Sequence, residues 1–342
     1  MRVIISEYLL LLLVVFVASA CSPASETAHE TRFMMGTLVD FTVYGVNKKN
    51  ASIAIKVAAD EMQRIENIFT IYGDQQNSVK AFNSARIGAH IKLPDEIDAL
   101  LTQSIDTKQR SDGAFNPALG SLNKLWGFSQ TPAPDSPPPA QEIEEMLAGL
   151  SNCLQQHTNG WSRTTANCQL DFGAIAKGYA LDQGMKTLKA HGITNAIINA
   201  GGDIVVSGSH GERPWQIGIR HPRKPDQVIA TLKIKGDLSL VTSGDYERFF
   251  FYQSKRYHHI LNPQTGMPAN RSQSTTVIAG NATTADAWST ALFVMATRGL
   301  QTIEKLGMDA ILVDVNGQIH LTKNIESRLQ LTLSAPMLRT SD

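Results

Sequence analysis

The chain has 342 residues, 42% of them hydrophobic, with 31 Lys and Arg balanced by 31 Asp and Glu. Zero formal net charge removes the long-range attraction to phosphate backbones on which nucleic-acid binders depend. A charged fraction of 18% is too low for a disordered chain, and the length suffices for one large domain or two interlocked ones.

The chain opens with Arg2 and an apolar run of thirteen residues, 8–20. As a helix that run is about 20 Å long, too short for a hydrocarbon core of about 30 Å. A basic start, an apolar stretch and small residues before a cut site describe a secretory signal over residues 1–20. Val17-Ala18-Ser19-Ala20-Cys21 resembles the bacterial lipobox, in which the cysteine is lipidated and becomes the mature N-terminus. On that reading Cys21 anchors the chain to the periplasmic side of a bacterial membrane; the other reading is an ordinary signal peptide with an incidental cysteine. Residues 21–30 then read as a polar tether and 31–342 as the domain.

Short strand patterns then alternate with helical ones. Residues 38–44 alternate apolar and polar positions, as a half-buried strand does. Residues 52–69 place Ile53, Val57, Met62, Ile65 and Ile68 at three- and four-residue spacing, which predicts an amphipathic helix with that face inward. A second helix falls within 95–113, a proline-rich surface loop at 131–139 and a short helix at 141–150. Between Cys153 and Cys168 the pair Asn159-Gly160 signals a hairpin, across which the two cysteines form a disulfide or remain buried thiols. A helix is expected at 174–190 and strands at 193–199, 204–207, 215–219, 228–234 and 238–242. A hairpin at 246–252 and 255–261, a strand at 275–279, a helix at 285–296 and strands at 310–315 and 318–321 complete the pattern. Helices mixed with runs of adjacent strands predict the α+β class.

Four clusters carry residue types that folding alone does not require. Asp171 to Tyr179 is a strand-to-helix turn whose backbone N–H groups, with Lys177, suit an anion; it reads equally as a tight turn with a solvated lysine. Thr242 to Arg248 is a polar turn before an aromatic strand. His258 and His259 end a strand, so one of the two points away from any site, and the other could take a proton near neutral pH. Asp286 and Thr290 share a helix face and offer hard oxygens suited to Mg²⁺; the plainer alternative is a dipole-favoured acid and a buried threonine.

Taken in order, these stretches resemble the ApbE family of bacterial FAD:protein FMN transferases. The likeness covers Met35-Gly36-Thr37, the stretch from Ser111 to Pro117, Leu125 to Phe128 and the AIAKGYALD segment. It continues through NAGGD at 199–203, TSGDYERFF at 242–250, HHILNPQTG at 258–266 and TADAWSTALFVM at 284–295. The resemblance implies two interlocked α+β subdomains with the FAD site between them. It implies transfer of the FMN moiety of FAD onto a threonine hydroxyl of an acceptor protein, with release of AMP. Typical acceptors are flavin-bearing subunits of membrane redox complexes such as the sodium-pumping NADH:quinone reductase and Rnf.

Carried over residue by residue, Met35, Tyr72, Ala114, Phe115, Asn116, Asp171, Lys177 and Leu261 contact FAD. The Ala174 carbonyl, Asp286 and Thr290 hold Mg²⁺, and His259 is the candidate catalytic base. Asn116-Pro117-Ala118 and Asn262 depart from the aspartates common in the family, so no carboxylate charge is present at either place. Three other readings remain: an FAD pyrophosphatase uses the same site with water as acceptor, a non-catalytic periplasmic flavin carrier needs the flavin pocket but not the metal, and a structural lipoprotein needs neither.

Overall fold

Alternating side chains build the molecule outward from one sheet, seen in a computed structural model that describes residues 27–323, 325–328 and 331–333. The expected signal segment 1–20, the lipobox cysteine Cys21 and tether residues 22–26 lie outside the described residues. Strands β1 (Thr27–Met34) and β2 (Thr37–Tyr44) form the opening hairpin, so residues 27–30 of the expected tether are strand. β1 pairs only with β2 at the sheet edge, and its mostly exposed polar residues hide the alternation by which a strand is recognised.

Helix α1 (Lys48–Phe69) starts where the Asn47 side chain accepts the Asn50 N–H at 2.9 Å. It buries Ala51, Ala54, Ile55, Ala58, Met62 and Ile65, while Ile53 and Val57 are 51% and 37% exposed. The inward face is thus rotated from the expected one, because small alanines let the helix lie close on its neighbours. Helices α2 (Ser78–Ser84), α3 (Asp95–Arg110), α4 (Gly120–Trp126) and α5 (Ala140–Leu147) follow. α3 carries Asp95, Glu96 and Asp98 in its first turn and Lys108 and Arg110 in its last, complementing its dipole.

The hairpin β3 (Leu154–His157) and β4 (Gly160–Arg163) is clasped at its base by a Cys153–Cys168 disulfide, which settles the choice the sequence left open. Helix α6 (Ala176–Ala190) leads into β5 (Ala196–Ala200), β6 (Asp203–Ser207), β7 (Trp215–His221), β8 (Lys224–Ile234) and β9 (Leu238–Gly244). The hairpin β10 (Phe249–Tyr252) and β11 (Lys255–His258), then β12 (Ser272–Ala279), precede helix α7 (Ala282–Met295). After α8 (Leu300–Lys305) come β13 (Asp309–Asp314), β14 (Ile319–Leu321), α9 (Ile325–Arg328) and β15 (Thr332–Leu333). Among the described residues no helix is long and apolar enough to cross a membrane.

Eight strands form the main sheet in the order β1-β2-β5-β6-β9-β12-β13-β14, each antiparallel to its neighbours. Period-two alternation gives it two apolar faces. Phe41, Ile198, Val241, Val277 and Leu312 pack with α1, α6 and α7, while Leu240, Ile278 and Ile311 pack with the small β15-β8-β7 sheet. A third core gathers Leu122, Trp126, Ile143 and the disulfide against Phe250, Tyr257 and Leu261. Sheet, helices and this second lobe make an interlocked α+β architecture, as the sequence predicts.

Candidate active site

The site is built where the N-terminal turns of α6 and α7 cross the ends of the sheet strands. Before α6, the Asp171 N–H donates to Pro117 O at 2.9 Å. The Asp171 carboxylate accepts from Gly173 N–H at 2.8 Å and from Asn123 Nδ2 at 2.7 Å, so it shapes the turn. In the first turn of α6 the Gly178 N–H, one of the N-terminal donors that a helix leaves without an internal partner, donates to Asp286 Oδ2 at 2.8 Å. A Cβ on Gly178 would lie 2.2 Å from Ala282 O and 2.7 Å from Asp286 Cβ, so glycine lets the two helices meet. Two caps fix α7: Asn281 Oδ1 accepts from Thr284 N–H, and the Asp182 carboxylate of α6 accepts from the N–H groups of Ala282 and Thr283 and from the Thr283 hydroxyl.

Asp286 is only 5% exposed, and burial, reinforced by the negative charge of Asp203, pushes its pKa up to about 7. Lys177 and the Gly178 N–H pull the other way. Asp203 follows the Gly201-Gly202 turn, where φ is +64° and +104°, and its Oδ1 accepts from the Thr242 N–H at 2.9 Å. Its Oδ2 is ion-paired with Lys177 Nζ. Burial disfavours the Lys177 ammonium, but Asp203 and then Asp286 outweigh it and its pKa is raised. Lys177 is therefore not a free surface lysine: its side chain is 32% exposed and its ammonium is ion-paired with Asp203. One turn along α7 from Asp286, Thr290 Oγ1 lies 3.3 Å from Ser243 Oγ, which is 2.8 Å from Ser289 Oγ.

Two carboxylates share one ammonium here, with the Thr290 hydroxyl one turn along α7, and this excess of hard oxygen fits Mg²⁺. Among the described residues no group of three or more His, Cys, Asp or Glu stands together as a metal cage. The set suits an ion that keeps water or substrate oxygens.

The two histidines divide as expected. His258 is structural: it is buried, its Nδ1 accepts from the Ile260 N–H at 3.3 Å, and its Nε2 lies 2.7 Å from Ala269 O. His259 faces the site. Its Nδ1 is buried with no hydrogen-bond partner among the described residues. Burial, then Arg248, His258 and Lys177, hold its pKa down at about 3.

Arg248 joins this cluster to the candidate flavin side. Its Nη1 donates to Ser129 Oγ at 3.1 Å, and a Cβ on Gly36 would sit 3.2 Å from its Nη2. Met35, at φ +54°, is held in that turn by its N–H donating to Glu66 Oε2 at 2.8 Å. Tyr72 is 40% exposed; burial and then the Asp171 charge raise its pKa, while Ser129 and Arg248 lower it. The structure thus gathers Met35, Tyr72, Asp171, Lys177, His259, Asp286 and Thr290 around Arg248 and the α6–α7 junction.

Ala114, Phe115 and Leu261 stand differently, with side chains buried in apolar clusters, so these positions have chiefly backbone edges to offer a ligand. Asn116 Oδ1 accepts from the Ala118 N–H at 3.0 Å and shapes its own turn. Sequence reasoning assigned no role to Asp203, Arg248, Asp182 or Ser243. All four lie within stretches it singled out, and the paired glycines before Asp203 were the available signal.

Fold and site define an interlocked α+β protein with a largely buried cluster of acids and bases where two helices meet the ends of an antiparallel sheet. The chain belongs to the ApbE family, whose pattern matches residues 35–312. It is 31% identical over 328 residues to a FAD:protein FMN transferase of Treponema pallidum, covering 87% of each chain. A FAD:protein FMN transferase of Rhodobacter capsulatus is 31% identical over 314 residues; the match covers 90% of this chain and 59% of that longer relative. The crystal structure of the ApbE protein of Thermotoga maritima superposes with a TM-score of 0.81 at 33% identity, covering 88% of this chain and 99% of that one.

Proposed function

We propose that this chain is an FAD:protein FMN transferase that moves the FMN moiety of FAD onto a threonine hydroxyl of an acceptor protein. The observation that carries this reading is the gathering of Lys177, Asp286, Thr290 and His259 at the α6–α7 junction in a chain whose relatives bear that name. The acceptor hydroxyl attacks the FMN phosphorus, the bond from that phosphorus to the bridging oxygen breaks, and AMP leaves. His259 takes the hydroxyl proton. Burial first, and then Arg248, His258 and Lys177, hold its proton affinity down; a pyrophosphate set between Arg248 and Lys177 offsets the part that those two cations contribute.

Lys177 and Arg248 orient the pyrophosphate, and fixed geometry supplies much of phosphoryl-transfer catalysis. Mg²⁺, held by Asp286, the Thr290 hydroxyl and the Ala174 carbonyl, would neutralise pyrophosphate charge when bound. Tyr72, Met35 and the backbone at 114–116 and Leu261 flank the rest of FAD. Lipidation at Cys21 would hold the domain on the periplasmic side of a bacterial membrane. There its acceptors would be flavin-bearing subunits of membrane redox complexes, such as sodium-pumping NADH:quinone reductase or Rnf.

AMP release tests the reading. With FAD and Mg²⁺, AMP should appear in step with an added threonine-bearing acceptor and stop with a chelator. Equal AMP formation with no acceptor present would make the protein a pyrophosphatase, and intact FAD throughout would make it a carrier.

A further inference from the structure

The Lys177–Asp203 pair raises a question that the proposed reaction does not answer. A lysine meant only to meet substrate phosphate would not be expected to spend its charge on an internal carboxylate that is 2% exposed. The Asp203 carboxylate accepts the Thr242 N–H at Oδ1, while its buried Oδ2 has no hydrogen-bond partner among the described residues and is ion-paired with Lys177. Asp286 lies close enough for the same ammonium to act on it, and the protein holds its Oδ2 with the Gly178 N–H. One cation therefore stands between two acids and is tied to one of them.

We infer that Asp203 is a positioning residue whose buried carboxylate tethers the Lys177 ammonium and so keeps Asp286 open to a divalent cation. The reasoning is electrostatic. An ammonium within reach of two buried carboxylates pairs with whichever is ionised and preorganised. Neutralise Asp203, and Asp286 becomes the remaining nearby anion. Lys177 then occupies the place of the metal as an internal counter-ion. Asp203 lies on β6 and the candidate ligands Asp286 and Thr290 on α7, so the tether can be removed without replacing either ligand.

This inference rests on the reading of Asp286 as a cation ligand, and the experiment separates the two. The full chain is titrated with Mn²⁺ alone, as a hard-cation stand-in for Mg²⁺, and free Mn²⁺ is followed by electron paramagnetic resonance. Four proteins are compared: wild type, Asp203→Asn, Lys177→Met and the double variant. Asparagine keeps an oxygen to accept the Thr242 N–H, and a circular dichroism melt checks that each variant folds. In Asp203→Asn, Mn²⁺ affinity should fall by about tenfold or more, the scale of one misplaced charge at close range. Adding Lys177→Met to that variant should restore affinity to near the wild-type value, because the competing ammonium is gone.

Unchanged affinity in Asp203→Asn would overturn the inference. So would a double variant as weak as Asp203→Asn, since Asp203 would then act by its own charge on the metal rather than through Lys177. Absence of Mn²⁺ binding in the wild type would overturn the reading of Asp286 itself, and this inference with it.

Discussion

At Asp286 two physical demands meet: burial and the Asp203 carboxylate raise its proton affinity, while the Gly178 N–H and Lys177 favour its charge. A bound divalent cation would settle that contest in favour of the ionised form. Asp286→Ala should therefore abolish Mg²⁺-dependent AMP release while leaving the far-ultraviolet circular dichroism unchanged; AMP release at the wild-type rate would refute its role. His259 carries a different signature. Its pKa of about 3 lies below that of an unfolded histidine, about 6.5, so the unfolded chain takes up a proton first as pH falls. The contribution of His259 to stability is thus fully present above about pH 6.5 and declines as pH drops toward 3. In His259→Gln the urea midpoint should fall less steeply between about pH 6.5 and 4, and His259→Ala should slow transfer with FAD affinity retained. A slope identical to wild type would show that the imidazole is not held neutral. Asp171, Lys177, His259 and Asp286 were legible as candidates, as residue types in recognisable stretches, although the turn-shaping bonds of Asp171 were not. Asp203 and Arg248 were not assigned roles, because what they do depends on partners such as Lys177 and Ser129, which are far away in the chain.

At the scale of elements, the α6–α7 contact is the joint that sets the site. Gly178→Ala places a methyl group against Ala282 O, so it should cost about 1–3 kcal/mol by thermal melting and weaken Mn²⁺ binding at the same time. A stability loss with no change in cation binding would separate the joint from the site. The Cys153–Cys168 clasp closes a loop of sequence separation 15, worth about 3 kcal/mol in the chain-entropy model. Replacing both cysteines with serine should lower the melting temperature by several degrees without loss of sheet content, and an unchanged melting temperature would show that the clasp adds nothing. Elements with clean periodicity were readable: β2, α3, α6, β5, β9, β12 and α7 lie close to their expected places. Those that escaped have identifiable reasons. β1 is a polar edge strand, α2 and α4 are each 7 residues long, and the first half of β8 is exposed Lys224, Pro225, Asp226 and Gln227. The inward face of α1 was misread because its buried alanines carry less hydrophobic signal than the exposed Ile53 and Val57.

For the whole molecule, the sheet holds both halves of the site at once. β6 and β9 deliver Asp203, Thr242 and Ser243 from one side, α6 and α7 deliver Lys177, Asp286 and Thr290 from the other, and the lobe around Trp126 brings Arg248 and His259 with the β10–β11 hairpin. An architecture that converges acids, a carboxylate-bound lysine and a neutral imidazole beside an exposed tyrosine suits group transfer from a large ligand to a second protein. The most direct measurement is the mass of that second protein. A threonine-bearing acceptor domain is incubated with the soluble domain, FAD and Mg²⁺, alongside an acceptor whose threonine is replaced by alanine, and both are weighed. The account predicts that the threonine form gains one FMN less the water lost in the new phosphoester, that chelator abolishes the gain, and that the alanine form stays unmodified. An acceptor of unchanged mass, with FMN and AMP accumulating free in solution, would contradict it.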